Sequence, residues 1–314
     1  MTWCVRPATP EDWPILATIR NQRSLRSLST DDFIRQERER SQQEPWVRLV
    51  AYQPDDVIAG HCVLFRNPWR PVGTYFLEGA VDEAHGRMGA GAALLAAAEQ
   101  QARQWGQSIL ELEVRDDRPE GLAFLAKHGF QPIQHFLRSE IDLERFDPEP
   151  HRAPFLAAQR RGYRFLSLAH LDPAEGKRRV YQLDIDCARD EPGLGPDWTP
   201  LSYEAYAAEL FDSPNFDPAG LFLAEKDGEL VAMNGLHFPG GGAPAWTFFT
   251  GVRRDHRGQG LAQALKLLGL EYARQKGYRR VGTSNHERNG AMLAVNRKFG
   301  FTPAPGIIAY QKRL

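Results

Sequence analysis

Two stretches of this chain lie over each other without a gap: VDEAHGRMGAGAALL from Val81 and VRRDHRGQGLAQALK from Val252. The offset of 171 residues holds to the end of each segment. It pairs ARQWG (from Ala102) with ARQKG (from Ala273), and KHGF (from Lys127) with KFGF (from Lys298). About a quarter of the positions between Val81 and Phe130 match identically, and register kept over that length marks a duplicated unit. A chain of 314 residues has room for two ordinary domains. The duplication predicts them as residues 1–146 and 163–314, joined by a helix over 147–162.

The flanking segments repeat as well. WCVRPAT followed by PEDWPILATIRNQ predicts a strand and then a helix with proline at its start. YRFLSLA followed by LDPAEGKRRVYQLDIDCARD predicts the same pair, with Asp172 as N-cap before Pro173. WVRLVAYQPDDVIAGHCVLFR is a hairpin turning at PDD, and LFLAEKDGELVAMNGLHF is its twin, turning at Asp227-Gly228. Each copy then adds a strand–turn–helix–strand–helix–strand run. The fold class is mixed α/β (α+β), not an all-β sandwich.

Composition excludes several functions. Hydrophobic residues make up 42% and charged residues 25%, and the net charge of −1 gives no field that would draw nucleic acid or a membrane. No apolar run approaches the roughly 20 residues of a membrane span, and the start lacks the pattern of a secretory signal. Cys4, Cys62 and Cys187 are expected as buried or partly buried reduced thiols. The histidines show no metal-binding spacing, so no metal is expected. RQERER, from Arg35, is expected as a solvated helix face, GGGAP, from Gly240, as a hairpin loop, and the protein as cytoplasmic.

The turn between AWTFFTGV and LAQALKLLGLEYARQKG carries the chemistry. Leu261, Ala264, Leu265, Leu268 and Tyr272 recur at helical spacing and give that helix an apolar face. RGQGLA therefore coincides with its first turn. Unpaired N–H groups point outward there, and the helix dipole contributes about half a positive charge. Gly258 and Gly260 let a ligand come close to the backbone, and Arg257 adds a full charge, a combination suited to pyrophosphate. A dinucleotide fold would place GxGxxG after its first strand, and a P-loop would read GxxxxGK(S/T). Neither is present.

Arg257-Gly258-Gln259-Gly260-Leu261-Ala262, with Asn285, Asn289 and Gly300-Phe301 beyond it, resembles the GCN5-related N-acetyltransferase (GNAT) family. That signature is a strand ending in Val, R-x-x-G-x-A/G opening a helix, then a strand, an Asn-containing helix and a terminal GF. The likeness covers Val252 to Phe301 in full, Val81 to Phe130 in part, and the rest by element order. It implies two tandem GNAT-like domains, each a mostly antiparallel mixed sheet flanked by helices, with acetyl-CoA as co-substrate. It also implies that the turn's amides hold pyrophosphate and that the strand ending at Val252 pairs with the pantetheine arm. The cofactor-binding candidates are then Val252, Arg254, Arg257, Gly258, Gln259, Gly260, Leu261, Ala262, Asn285 and Asn289. In the first copy they are Val81, Arg87, Met88, Gly89, Ala90 and Gly91. There the family arginine is Gly86, and EVRDDRPEGL replaces both asparagines. The first copy is expected to bind CoA weakly or only to shape the acceptor cleft, leaving turnover to the second.

Amide formation requires an amine of pKa about 10 to lose a proton before attack and the leaving thiolate to gain one. The family's usual acid is a tyrosine four residues before the GF glycine. That position holds Asn296 here, and Leu125 in the first copy. Tyr310, His286 and Glu287 are the substitutes. The resemblance implies an N-acetyltransferase acting on a primary amine of a small molecule, as a monomer or homodimer. The alternatives are a peptide or protein amine, and a non-catalytic acyl-CoA sensor.

Overall fold

The computed structural model describes residues 2–23, 28–40, 45–54, 57–66, 73–194 and 198–314. The first copy runs β1 (Cys4–Pro7), α1 (Trp13–Arg23), α2 (Thr30–Arg40), β2 (Trp46–Tyr52), β3 (Ile58–Arg66), β4 (Thr74–Val81), α3 (Ala90–Gln104), β5 (Ile109–Arg115), α4 (Pro119–Lys127) and β6 (Gln131–Asp142). The joining helix is α5 (Arg152–Arg160). The second copy runs β7 (Arg164–Ser167), α6 (Pro173–Ala188), α7 (Tyr203–Leu210), β8 (Phe216–Lys226), β9 (Glu229–His237), β10 (Ala245–Val252), α8 (Leu261–Gln275), β11 (Arg280–His286), α9 (Gly290–Phe299) and β12 (Thr302–Arg313). Asp55 and Asp56 of the first hairpin turn lie outside the described residues.

The chain forms two compact units, and neither is a contiguous segment. Unit 1 takes in residues 1–114 and 118–133 together with Ile308–Leu314. Its strands run β1-β2-β3-β4-β5-β12; β1 to β4 pair antiparallel and β4–β5 parallel. The final strand is thus supplied by the second copy. Tyr310, 8% exposed, packs there with Leu94, Leu110 and Phe130, while Gln311 donates to Glu111 and Lys312 to Glu99. Unit 2 holds residues 115–117 and 134–307. Its strands run β6-β11-β10-β9-β8-β7, with β11 antiparallel to β6 from the first copy and parallel to β10. The two copies have exchanged last strands.

Local signals read from the sequence explain the elements around the site. Asp172 caps α6 by accepting from the amides of Ala174 and Glu175 at 3.1 and 3.0 Å. The β8–β9 hairpin turns at Asp227-Gly228 with φ of 52° and 84°, the left-handed pair that such two-residue turns demand. Helix α8 is buried on more than the expected face: Leu261 and Leu265 join one apolar cluster, and Leu267, Leu270 and Ala273 another.

Two expectations are corrected. RQERER is not simply solvated: Glu37 is 4% exposed and holds Arg48, itself 6% exposed, at 2.6 and 2.7 Å. Arg48 can only donate, so His61 receives its Nη1 at 2.8 Å as a neutral imidazole. Of the thiols, Cys62 and Cys187 are buried but Cys4 is exposed. Among the described residues, no helix is long and apolar enough to cross a membrane, and no cluster of His, Cys, Asp or Glu has metal-site geometry.

Candidate active site

Strands β10 and β11 pair only at Ala245–Thr247 with Val281–Thr283. Beyond that point β10 follows β9 to Val252, while β11 follows β6 to His286. The register of β10 shifts between Thr247 and Phe249, a bulge that bends the strand away. The diverging strands open a cavity of about 570 Å³ within unit 2. Its walls are the β10 segment from Thr247 to Val252, the β11 segment from Thr283 to Asn285, the starts of α8 and α9, and the residues following α6. Past the split, the β10 backbone facing the cavity has no strand partner on that side among the described residues, which leaves polar groups for a ligand.

The arginine–glycine turn closes one end. Val252, Arg257, Gly258, Gly260, Leu261, Ala262, Asn285 and Asn289 all line the cavity; Arg254 and Gln259 do not. Gly260 is the N-cap of α8 with φ 79°, and a Cβ there would stand 3.1 Å from Cβ of Pro154 on α5. The left-handed conformation and the joining helix both require glycine there. Arg257 donates to the Val252 carbonyl at 3.1 Å and to Asp190 at 2.7 Å. Arg254 also pairs with Asp190. These arginines hold the Asp190 carboxyl below the usual aspartate range, Arg254 foremost. Sequence reasoning missed Asp190, which lies 67 residues from Arg257 and belongs to no motif.

The asparagines serve structure as well as lining. Asn289 caps α9 by accepting from the Met292 amide at 3.2 Å. Asn285 accepts from Asn296 at 2.7 Å, and Asn296 is 2% exposed with its own Oδ1 unpaired. The three catalytic candidates lie off the cavity lining. Tyr310 sits in the core of unit 1. His286 is 3% exposed, stacks edge-on with Phe136 and accepts from the Arg288 amide. Burial lowers its pKa. Glu287 reaches His135 at 3.6 Å.

The wall after α6 carries groups that sequence reasoning passed over. The Cys187 thiol is pushed up to about 12 by burial and the Asp184 carboxylate, so it stays protonated and is no nucleophile. Asp184 is pushed up to about 6 by desolvation, against the pull of the Tyr206 hydroxyl that donates to it at 2.5 Å. Glu191 lines the cavity, and desolvation followed by the Asp184 charge raises its pKa. Glu191 is nevertheless open to water. Both observations describe a carboxylate on the wall of a deep cleft, accessible to solvent but hemmed in by protein.

The first copy has the same strand split, since β4 meets β5 only at Thr74–Phe76. Its β4 pairs with β3 without a bulge. Arg87 adopts φ 60° where the second copy has Gly258 at 74°, a conformation that strains a side-chain-bearing residue. Trp3 covers the turn by donating to the Met88 carbonyl at 2.7 Å. The Phe124 ring lies 3.5 Å from where a Cβ on Gly91 would stand, with Val81 beside it. Val81, Val114 and Phe124 all pack onto the apolar cluster of unit 1.

Residues 12–130 and 177–301 match the model of the Acetyltransferase (GNAT) family. The chain belongs to the GNAT family. It is an acyltransferase of the tandem type. The chain is 28% identical to mycothiol acetyltransferase of Geodermatophilus obscurus over 221 residues, covering 69% of this chain and 67% of that protein. It is also 28% identical to that of Cellulomonas flavigena over 234 residues, 71% of this chain and 63% of the relative. The chain thus spans about two thirds of the length of these relatives. A tandem GNAT protein from the clavulanic acid biosynthesis pathway superposes with a TM-score of 0.75 at 23% identity, over 99% of this chain and 98% of that one, and shares the fold.

Proposed function

We propose that unit 2 transfers an acetyl group from acetyl-CoA to a primary amine of a small molecule in the cytoplasm. The observation that carries this is the split between β10 and β11, a single cavity with the arginine–glycine turn at one end and an open, unpaired strand edge leading inward. The residues present fit the co-substrate. The amides at the start of α8 with Gly258 and Arg257 suit the pyrophosphate, and the free edge of β10 from Phe248 to Val252 suits the amide-bearing pantetheine arm. Asn285, fixed by Asn296, presents its remaining amide hydrogens to the same space. Bound acetyl-CoA supplies an activated acyl group. The chain's residues hold it, exclude water and manage the amine's proton.

Relatives named for mycothiol acetylation favour a small amine over a peptide. In the first copy Phe124 and Val81 stand beside Gly91, and both pack with Val114 onto the unit 1 cluster, which supports unit 1 as a structural partner without turnover. The test is thiol release from acetyl-CoA with glucosamine, cysteine, spermidine and an α-amino dipeptide. Release dependent on a small amine supports the reading. Tight acetyl-CoA binding with no amine-dependent release assigns a sensor instead.

A further inference from the structure

Resting on that reading, we propose that Glu191 is the general base of the acetyl transfer, and that the acceptor therefore arrives as a cationic, protonated amine. Glu191 lies on the cavity wall in the segment directly after α6, its amide bonded to the Ala188 carbonyl at 2.8 Å. Among the described residues its carboxylate has no ion pair or hydrogen bond, unlike Asp190 beside it. Both ends of the segment are anchored. On one side Asp190 is held by Arg254 and Arg257 of the turn. On the other, the Gly193 carbonyl accepts from Gln134 Nε2 at 2.6 Å. Gly193 has φ 108°, and a Cβ there would stand 2.8 Å from the His286 ring, so only glycine lets the segment seat this deeply. A lone carboxylate carried by an anchored backbone segment at an open cavity wall is placed to take a proton from an amine bound there.

The charged or titratable groups that line the same cavity are Asp190 beside it, His256 and Arg257 on the turn, and Arg288 before α9, and Asp184 on α6 acts on Glu191 from behind. Arg257 is already matched by Asp190, while Asp184 adds negative charge behind Glu191. Desolvation and the negative charge of Asp184 make the Glu191 carboxylate a better proton acceptor than an ordinary glutamate. In the step, Glu191 takes one proton from R–NH3+. The freed nitrogen lone pair forms the C–N bond to the acyl carbon, and the C–S bond breaks. The second proton leaving nitrogen goes to the departing sulfur, giving the neutral thiol. Glu191 then returns its proton to solvent, so the net products are amide, thiol and one proton.

The test compares wild type with Glu191→Gln, using whichever of glucosamine, cysteine and spermidine releases thiol fastest. At pH 7, kcat should fall about a hundredfold, the scale of a lost general base. Acetyl-CoA affinity by calorimetry should stay within twofold of wild type, which also shows that the variant is folded. The variant's rate should climb about tenfold per pH unit as the amine deprotonates itself, while the wild-type rate levels off. Independently of turnover, the infrared difference between the two proteins should show a carboxyl group titrating above the ordinary glutamate range. A kcat within threefold of wild type, superimposable pH profiles, or no such titration would overturn the assignment. If wild type binds acetyl-CoA yet acetylates no amine, the functional reading falls first and the base assignment with it.

Discussion

Arg257 is the residue on which the cofactor end of the site can be weighed most directly. A charged hydrogen bond from a guanidinium to phosphate contributes about 1.5–3 kcal/mol. Arg257 is not idle beforehand: its side chain is 44% exposed and bonded to Asp190 at 2.7 Å. An exposed pair of this kind is worth about 0.2–1 kcal/mol, which must be given up or shared when a phosphate arrives. The net loss in Arg257→Ala is then about 1–2 kcal/mol, a five- to thirtyfold weaker acetyl-CoA affinity. Asp190→Asn alone removes the competing carboxylate and should tighten binding about two- to fivefold. In that background Arg257→Ala should show the full loss, about ten- to a hundredfold. The four proteins form a double-mutant cycle, to be read by calorimetry at low and high salt, where the Arg257 contribution should shrink with ionic strength. Unchanged affinity for Arg257→Ala in both backgrounds, or weaker binding in Asp190→Asn, would refute the placement of phosphate at this turn.

Three further outcomes follow from the packing. Gly260→Val must place a branched residue at φ 79° against Pro154, so it should lower stability by about 2–4 kcal/mol, whereas Gly258→Ala, with nothing within 4 Å, should cost about 1 kcal/mol while weakening acetyl-CoA; paired thermal melts and calorimetry separate the two. Lys266 is 1% exposed, its ammonium unpaired over the Phe301 ring, and its pKa is lowered to about 8 by burial. The unfolded chain binds more protons than the native one between about pH 8 and 10.5, so wild-type stability should rise across that window, and Lys266→Met should abolish the rise and add about 1–3 kcal/mol at pH 7 in denaturant titrations. Deleting Ile308–Leu314 removes buried Ala309 and Tyr310 and the strand beside β5, a loss of roughly 5 kcal/mol or more, so hydrogen exchange should lose protection in β3–β5 while β9 and α8 keep theirs.

The fold and the turn were legible because both rest on local rules. Asp172 before Pro173 is a cap wherever it occurs, and Asp227-Gly228 between alternating strands turns a hairpin without tertiary help. The duplication carried the rest, since one copy's elements predict the other's. What could not be read depends on residues meeting across long separations. Asp190 meets Arg254 from 64 positions away, and no spacing rule announces it. Glu37 looked like one more charge on a polar helix until Arg48 of β2 was folded beneath it. Glu191 had no motif at all; its signal is the cavity, which exists only once β10 and β11 have parted.

Tyr310 shows why position along the chain misled in a particular way. Read in line, it belongs to the last strand of the second copy, and so to the second copy's chemistry. The exchange of β6 and the end of β12 sends it into the core of unit 1, and brings Gln134 and His135 of the first copy into unit 2. The exchange also ties the first copy's last strand to the second copy's cavity wall. Gln134 holds the Gly193 carbonyl, and Gly193 seats the segment that carries Asp190 and Glu191. A strand encoded in the copy that lost its asparagines thus positions the wall of the copy that kept them. Loss of that strand would remove the anchor at Gly193.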